Sequence, residues 1–438
     1  MGVIITGYKI IHDVVHGSIK LDGFMLDLVQ APEINRLHNI KQLGLVYLVF
    51  PGAQHTRFEH SMGVSYIADR MAQELKLNEG ERSLVRAAGF LHDIGHGPYS
   101  HTLEYIFHGI LGLDHMEITK DIITGKQDIM SDLDQYFDFK PIPAILEDNG
   151  LDPKEVADLV TGTTENAGYP FFNVSDSGQQ FFNDRKYLAQ IIHSSIDADQ
   201  LDYLMRDSYY TGVAHGTVDL DRLLKTMEIF NNDLIIHRKG VPAVEGMLVA
   251  RALMYSSVYF HKTARIAETM LSRAVELSLD GDDDEKILSM MDMDLLNWLE
   301  RKSSIGREMA YRIKYRNLYK RVFEIDLDEL TDQQREELSA LATPRERKRM
   351  EEEICRKAGI PIGKAFIDIP APELLISEPR LTKTNVKILD DDKAYTLPKF
   401  SPLANAIRKR RVTNWALMVF CDGRYNNQVS KVAERLFQ

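Results

Sequence analysis

Between residues 56 and 71 apolar side chains recur at helical spacing. Val64, Ile67 and Met71 fall on one face, and His60 shares it. Thr56 followed by Glu59 is a capping-box pattern, which predicts a helix starting near Arg57. An imidazole on an otherwise apolar face is expected to point inward. The segment "ERSLVRAAGFLHD" predicts a second helix with Leu84, Ala88 and Leu91 as its buried stripe. Gly95, Gly97 and Pro98 end it.

Residues 125–185 are rich in Asp, Gly, Pro and Asn, and "TGTTENAGYPFFNVSDSGQQ" (161–180) reads as a loop. After it, "RKYLAQIIHSSIDADQLDYLMRDSYY" predicts one long helix with Leu188, Ile192, Ser195, Asp199 and Asp202 on one face. An acid at 199, on a face that begins apolar, is a candidate for chemistry. "NNDLIIHRKGVPAV" predicts a hairpin turning near Lys239 and Gly240, and a further long helix is expected from Val244 to about Leu279. Beyond the acidic "DGDDDE" (280–285), short helices and strands alternate. "NVKIL" and "NWALMVF" read as strands, and "REELSALATPRERKRMEEEICRKAG" as a charged, exposed helical segment. The pattern divides the chain into a helical core over 1–280, with a loop-rich insertion at about 125–185, and a smaller α+β lobe over 281–438.

Composition narrows the function classes. An apolar content of 44% with 27% charged residues is that of an ordinary globular protein. The net charge of −12 argues against a large nucleic-acid footprint, yet a metal or a few arginines can still receive a small anion. The two cysteines, Cys355 and Cys421, match no metal-ligand spacing. The start "MGVIITGYKIIHDVVHG" has no signal-peptide pattern, and the longest apolar run, "LGLVYLVF" at 43–50, is too short to span a bilayer. A cytoplasmic location without membrane partners is the expectation.

The chemistry concentrates in "GFLHDIGHGPYSH" (89–101). It holds His92, Asp93, His96 and His101, and the whole chain has 14 histidines. Imidazole and carboxylate together suit iron, manganese, zinc, cobalt or nickel, whereas all-oxygen sites suit magnesium or calcium. Adjacent helical side chains diverge by about 100°. His92 and Asp93 therefore reach one ion only if it sits beside the helix end. His60 from the preceding helix and Asp199 from a distant one would complete a mixed shell, with positions left open for water and substrate.

The order His60, His92-Asp93, Asp199 resembles the HD-domain phosphohydrolases. Within them, "VHGSIKL", "NRLHNIKQLGLVYLVFPGAQHTRFEHSMGV", "GFLHDIGHGPYSH", "SIDADQLDYLMRDSYYTGV" and "IKYRNLYKRV" resemble the dNTP triphosphohydrolases over roughly residues 8–320. The resemblance implies a mainly α fold, an HD-domain helical core with a smaller C-terminal α+β lobe; no SAM domain is read ahead of it. It implies hydrolysis of deoxynucleoside triphosphates to deoxynucleoside and inorganic triphosphate. One divalent transition metal (Fe, Mn, Zn, Co or Ni) is implied at His60, His92, Asp93 and Asp199, with Mg accompanying the substrate phosphates.

By the same resemblance His115 is the catalytic histidine, Glu104 stands where the family has an orienting Asp, and His96 lines the site near the α-phosphate. Arg57, Arg251 and His101 correspond to phosphate contacts. Tyr203 and Asp207 correspond to a pair at the sugar, Gln42 and Leu43 to residues near its 3′-hydroxyl, and Tyr259 to an aromatic at sugar or base. The family implies a homo-oligomer, dimer or tetramer, and a nucleotide activator.

Departures are also legible. Gln200 replaces a lysine beside the metal aspartate, and Phe260 replaces a glutamine near the base. Gln30, Asn35 and His38 replace the Asp, Gln and Arg of a guanine-nucleotide activator site, while Lys9 and Asp13 match it. Activation by guanine nucleotides in that form is not expected; another activating nucleotide fits. Two other readings stay open: an HD phosphodiesterase or nucleotidase acting on another nucleotide, and a nucleotide-sensing module without chemistry.

Overall fold

The apolar stripes read from the sequence pack against one another as helices Arg57–Glu74 and Glu79–Leu91. The computed structural model describes residues 7–112, 114–133, 135–162, 185–281, 284–326, 330–369, 386–408, 410 and 415–437 of the chain. Thr56 accepts from the Glu59 N–H and Glu59 answers on the Thr56 N–H, so the first helix starts where the capping box predicts. Asn78 and Glu81 do the same for the second helix. Helix Ala198–Thr211 lies against the first, and Val64, Ile67, Met71, Leu84, Ala88, Leu91, Leu201 and Leu204 share one core.

The fold is mainly α, with small sheets and a smaller α+β lobe toward the C-terminus. In that lobe strands β5 (Lys320–Asp326), β6 (Ala365–Asp368) and β9 (Trp415–Cys421) form an antiparallel sheet in the order β5-β9-β6. Every residue of β9 is buried, because helices cover both of its faces. This is why "NWALMVF" is a continuous apolar run rather than an alternating one. A second sheet, β3 (Met227–Phe230), β4 (Asp233–His237), β7 (Lys387–Asp390) and β8 (Lys393–Thr396), pairs β4 with β7 in parallel. Val386, Ile388, Leu397, Ala404 and Ile407 thereby join the core of the first helices.

Several elements differ from the sequence reading. The long helix expected from 185 is two, Lys186–Ile192 and Ala198–Thr211. Asp197 breaks it by accepting from the N–H groups of Ser194 and Gln200, a local alternative to the helical ladder. The stretch 244–279 is helix Val241–Met254, a π-helical turn Tyr255–Tyr259 and helix Lys262–Glu276. The hairpin turns at Asn231 and Asn232, both at positive φ, not at Lys239 and Gly240. Asparagine tolerates that conformation better than most residues. The charged segment is two helices, Asp332–Leu341 and Pro344–Ala358, the second buried through Arg347, Glu351, Ile354 and Cys355. A proline at the first helical position explains the restart.

The hairpin of β1 (Tyr8–Asp13) and β2 (Gly17–Asp22) has no counterpart in the sequence reading, since β1 is mostly exposed and shows no clean alternation. Of the loop read at 161–180, residues 163–180 lie outside the described residues. No helix among the described residues is long and apolar enough to cross a membrane.

Candidate active site

Three helix ends meet at one buried point. His60 comes from the first turn of helix Arg57–Glu74, His92 and Asp93 follow the last turn of Glu79–Leu91, and Asp199 lies in the first turn of Ala198–Thr211. His60 Nε2 is 3.0 Å from Asp199 Oδ1 and 3.9 Å from Asp93 Oδ2. His92 Nε2 is 3.3 Å from Asp93 Oδ1 and 3.9 Å from Asp199 Oδ1. The break at Asp197 matters here, because it turns the chain so that Asp199 faces the other three.

The outer ring nitrogens are anchored. His60 Nδ1 pairs with Asp202 Oδ2 at 2.8 Å, and His92 Nδ1 with the Gly89 carbonyl at 2.9 Å. A carbonyl only accepts, so His92 carries its proton on Nδ1 and presents a lone pair on Nε2. That Nε2 is buried and makes no hydrogen bond. A buried, unmatched lone pair among carboxylates is costly unless a cation completes the cluster. The donor atoms of His60, His92 and Asp93 lie within 4.8 Å of one another. Residues, tautomer and spacing thus fit a divalent metal, and the nitrogen–oxygen mixture suits Fe, Mn, Zn, Co or Ni. Burial disfavours a charge on Asp93, but His92 and Arg57 outweigh it and hold the carboxyl well below the usual range. Burial likewise works against charge on His60, while Asp199 and Asp202 overcome it and raise its pKa to about 10.

Beside this cluster His96 Nε2 sits 3.3 Å from Asp93 Oδ1, and its ring stacks on that of His115 at 4.2 Å, 12° from parallel. His115 Nδ1 is 2.5 Å from Glu104 Oε1. Burial, with Arg57 and His115 nearby, holds His96 well below the ordinary imidazole range. His115 is the first residue of helix His115–Ile123; the cap is Asp114, which accepts from Met116 and Glu117. That helix approaches the HD loop because residue 95 is glycine: a Cβ there would lie 2.4 Å from the His115 carbonyl.

Arg57 donates from Nε to Ser100 Oγ at 2.9 Å and from Nη1 to Asp93 Oδ2 at 2.5 Å. Arg251, fully buried, donates from Nη1 to Gln200 Oε1 at 2.6 Å. Gln200 donates in turn to the Ser194 carbonyl and to Asp197. The residue that departs from the family lysine therefore holds an arginine. Asp207 accepts from the Tyr259 hydroxyl at 2.6 Å and pairs with His55 Nε2 at 2.8 Å, and Tyr203 meets Tyr259 edge-on at 6.2 Å. Gln42 is buried with its Oε1 unpartnered, its N–H donating to the His55 carbonyl; Leu43 is half-buried beside it. The side chain of His101, on helix Ser100–Leu111, lies outside the described residues.

Sequence reasoning gave no role to His16, His55, Asp202 or Arg206. Asp202 was within reach of it, one helical turn past Asp199 on the same face. His55 and His16 come from loops whose partners are 152 and 186 residues away, which no local pattern encodes.

A family model described as HD domain matches residues 57–207, and one described as HD associated region matches 218–438. An uncharacterized protein of Methanocaldococcus jannaschii is 32% identical over 94% of this chain and 79% of its own length. A protein of Dictyostelium discoideum named deoxynucleoside triphosphate triphosphohydrolase SAMHD1 homolog is 30% identical over 72% of this chain; the chain spans 60% of that relative's length. A crystal structure of a phosphohydrolase from Bacteroides thetaiotaomicron superposes with a TM-score of 0.65 at 26% identity, covering 94% of this chain and 99% of that one.

Proposed function

The chain belongs to the HD-domain phosphohydrolases with an HD-associated region, and from that premise we propose that it hydrolyses deoxynucleoside triphosphates to the deoxynucleoside and inorganic triphosphate. The observation that carries this reading is the stack of His96 on His115, backed by Glu104, at the edge of the HD cluster. His60, His92, Asp93 and Asp199 hold a divalent metal in this reading. When bound, the metal supplies Lewis acidity for phosphoryl transfer. Arg57, locked between Ser100 and Asp93, and Arg251, locked by Gln200, offset the charge of the phosphates. Water adds to the α-phosphorus, losing one proton to solvent, and the bond to the 5′ oxygen breaks. His115 gives the leaving oxygen its proton from Nε2, since Nδ1 faces Glu104. Tyr203, Tyr259 and Asp207 bound the sugar, and the unpartnered Gln42 Oε1 is available to a hydroxyl there.

A cavity of about 900 Å³ is lined by His261, Lys262, Arg316, Lys320, Arg321 and Trp415, with Lys262 and Arg321 both paired to Glu324.

The test is product identification on metal-replete protein offered dNTPs, NTPs, monophosphates and cyclic nucleotides in turn. Inorganic triphosphate from dNTPs is the expected product. Orthophosphate, pyrophosphate or opened cyclic nucleotides alone would instead assign another nucleotide hydrolysis.

A further inference from the structure

The carboxylate behind His60 is itself held from outside the HD domain. Asp202 is fully buried and all of its lone-pair positions are used. Oδ2 meets His60 Nδ1 at 2.8 Å and Arg206 Nε at 2.8 Å; Oδ1 meets His16 Nε2 at 2.6 Å and Arg206 Nη2 at 2.9 Å. His16 sits in the turn between β1 and β2. Asp13 closes that turn by accepting from the N–H groups of Val15 and His16, and its other oxygen receives Arg206 Nη1 at 2.7 Å. The hairpin therefore grips the Asp202–Arg206 pair from two sides. Gly63 leaves the room for this: a Cβ there would fall 1.9 Å from Asp202 Oδ1. The His16 ring also rests against Tyr66 at 5.1 Å.

We infer that His16 is a positioning residue for the metal site, acting through Asp202 to fix the tautomer and direction of His60. Asp202 has no freedom to swing, because each oxygen is pinned by a donor on a different element. With Nδ1 of His60 committed to that carboxylate, its Nε2 is aimed at Asp93 and Asp199. Partners of this kind set the orientation and basicity of a ligating imidazole, and their loss typically weakens metal affinity about 10–100-fold. The distinctive feature here is the source of the last contact. It comes from the N-terminal hairpin, so the seating of that hairpin and metal affinity are linked. This inference rests on the metal-site reading above.

The experiment compares wild type with His16→Phe, which keeps a ring against Tyr66 but removes the donor, and His16→Gln, which keeps a donor at the Nε2 position. Cobalt(II) is titrated into metal-stripped full-length protein, and each form is melted with and without cobalt(II). The expected result is about 10–100-fold weaker cobalt(II) binding for His16→Phe and near wild-type binding for His16→Gln. His16→Phe should melt below wild type even without metal, since a buried carboxylate loses a donor, and fall further behind once cobalt(II) is added. Tight binding by wild type and equally tight binding by His16→Phe would overturn the relay alone. So would a melting deficit of His16→Phe that cobalt(II) leaves unchanged. Failure of wild type to bind cobalt(II) at all would overturn the metal-site reading itself.

Discussion

Glu104 and His115 face each other from successive helices, with Oε1 of one 2.5 Å from Nδ1 of the other. In the proposed reaction the carboxylate fixes which imidazole nitrogen is free to exchange a proton with substrate. His115→Ala should stay folded and metal-loaded and lose about 10²–10⁴-fold in kcat, the usual contribution of a proton-transfer group. Glu104→Gln should lose less, since an amide still orients the ring. Single-turnover rates beside metal content measure both. A His115→Ala enzyme at the wild-type rate would reject the proton-donor assignment.

Removal of a donor is a separate prediction. His92→Ala or Asp93→Ala should abolish bound metal and hydrolysis together. The melting temperature in metal-replete buffer should also fall, because a ligand bound only by the folded state stabilises it. Elemental analysis of the purified variants checks occupancy; full occupancy in both would reject the assignment.

How much of this is legible in the sequence follows from distance along the chain. The capping boxes at Thr56 and the apolar face of His60 are local, and the structure has that helix at Arg57–Glu74. The HD dipeptide is local as well. Asp199 is legible only as an acid on an apolar face, and the helix break that turns it toward His92 hides in the competition of Asp197 for backbone donors. The His16–Asp202 and His55–Asp207 contacts join residues far apart in the chain, so periodicity cannot reveal them. The β1–β2 hairpin escapes for another reason: its first strand buries too little to leave a pattern.

Sugar selection provides a third test. Tyr203 and Tyr259 meet edge-on, and Asp207 holds the second of them by its hydroxyl. In the proposed reading the sugar lies against this wall, which leaves no slack for a 2′-hydroxyl that would lose its water without gaining a partner. The ratio of kcat/KM for dATP over ATP should be on the order of 10². Tyr203→Ala should narrow it mainly by admitting ATP. Equal values for the two nucleotides in the wild type would contradict the sugar assignment.

The last prediction concerns Asp292, a buried acid at the start of helix Asp292–Lys302. Its Oδ2 accepts from the Lys41 N–H and its Oδ1 from the Tyr99 N–H, both at 2.9 Å. Lys41 precedes Gln42 and Leu43. Tyr99, at φ 47° and ψ 40°, precedes the Ser100 that holds Arg57. One carboxylate thus ties two walls of the site together, facing Arg36, Lys41, Tyr47, Arg57 and Tyr99. Burial raises its pKa from an ordinary 3.8 to about 6, against the two N–H bonds, Lys41 and Arg57, which favour the anion. A folded-state pKa above the unfolded one favours folding at low pH. That contribution is complete below about pH 4 and fades as pH rises through 6. Asp292→Asn removes the titration and leaves one N–H facing an amide donor. The stability advantage of wild type over Asp292→Asn should therefore shrink between pH 4 and pH 7, by on the order of 2–3 kcal/mol. Urea unfolding of both proteins across that range measures the gap. A gap that stays constant would show an ordinary carboxylate at 292, and a gap that widens would show that the ionised form is the one the fold prefers.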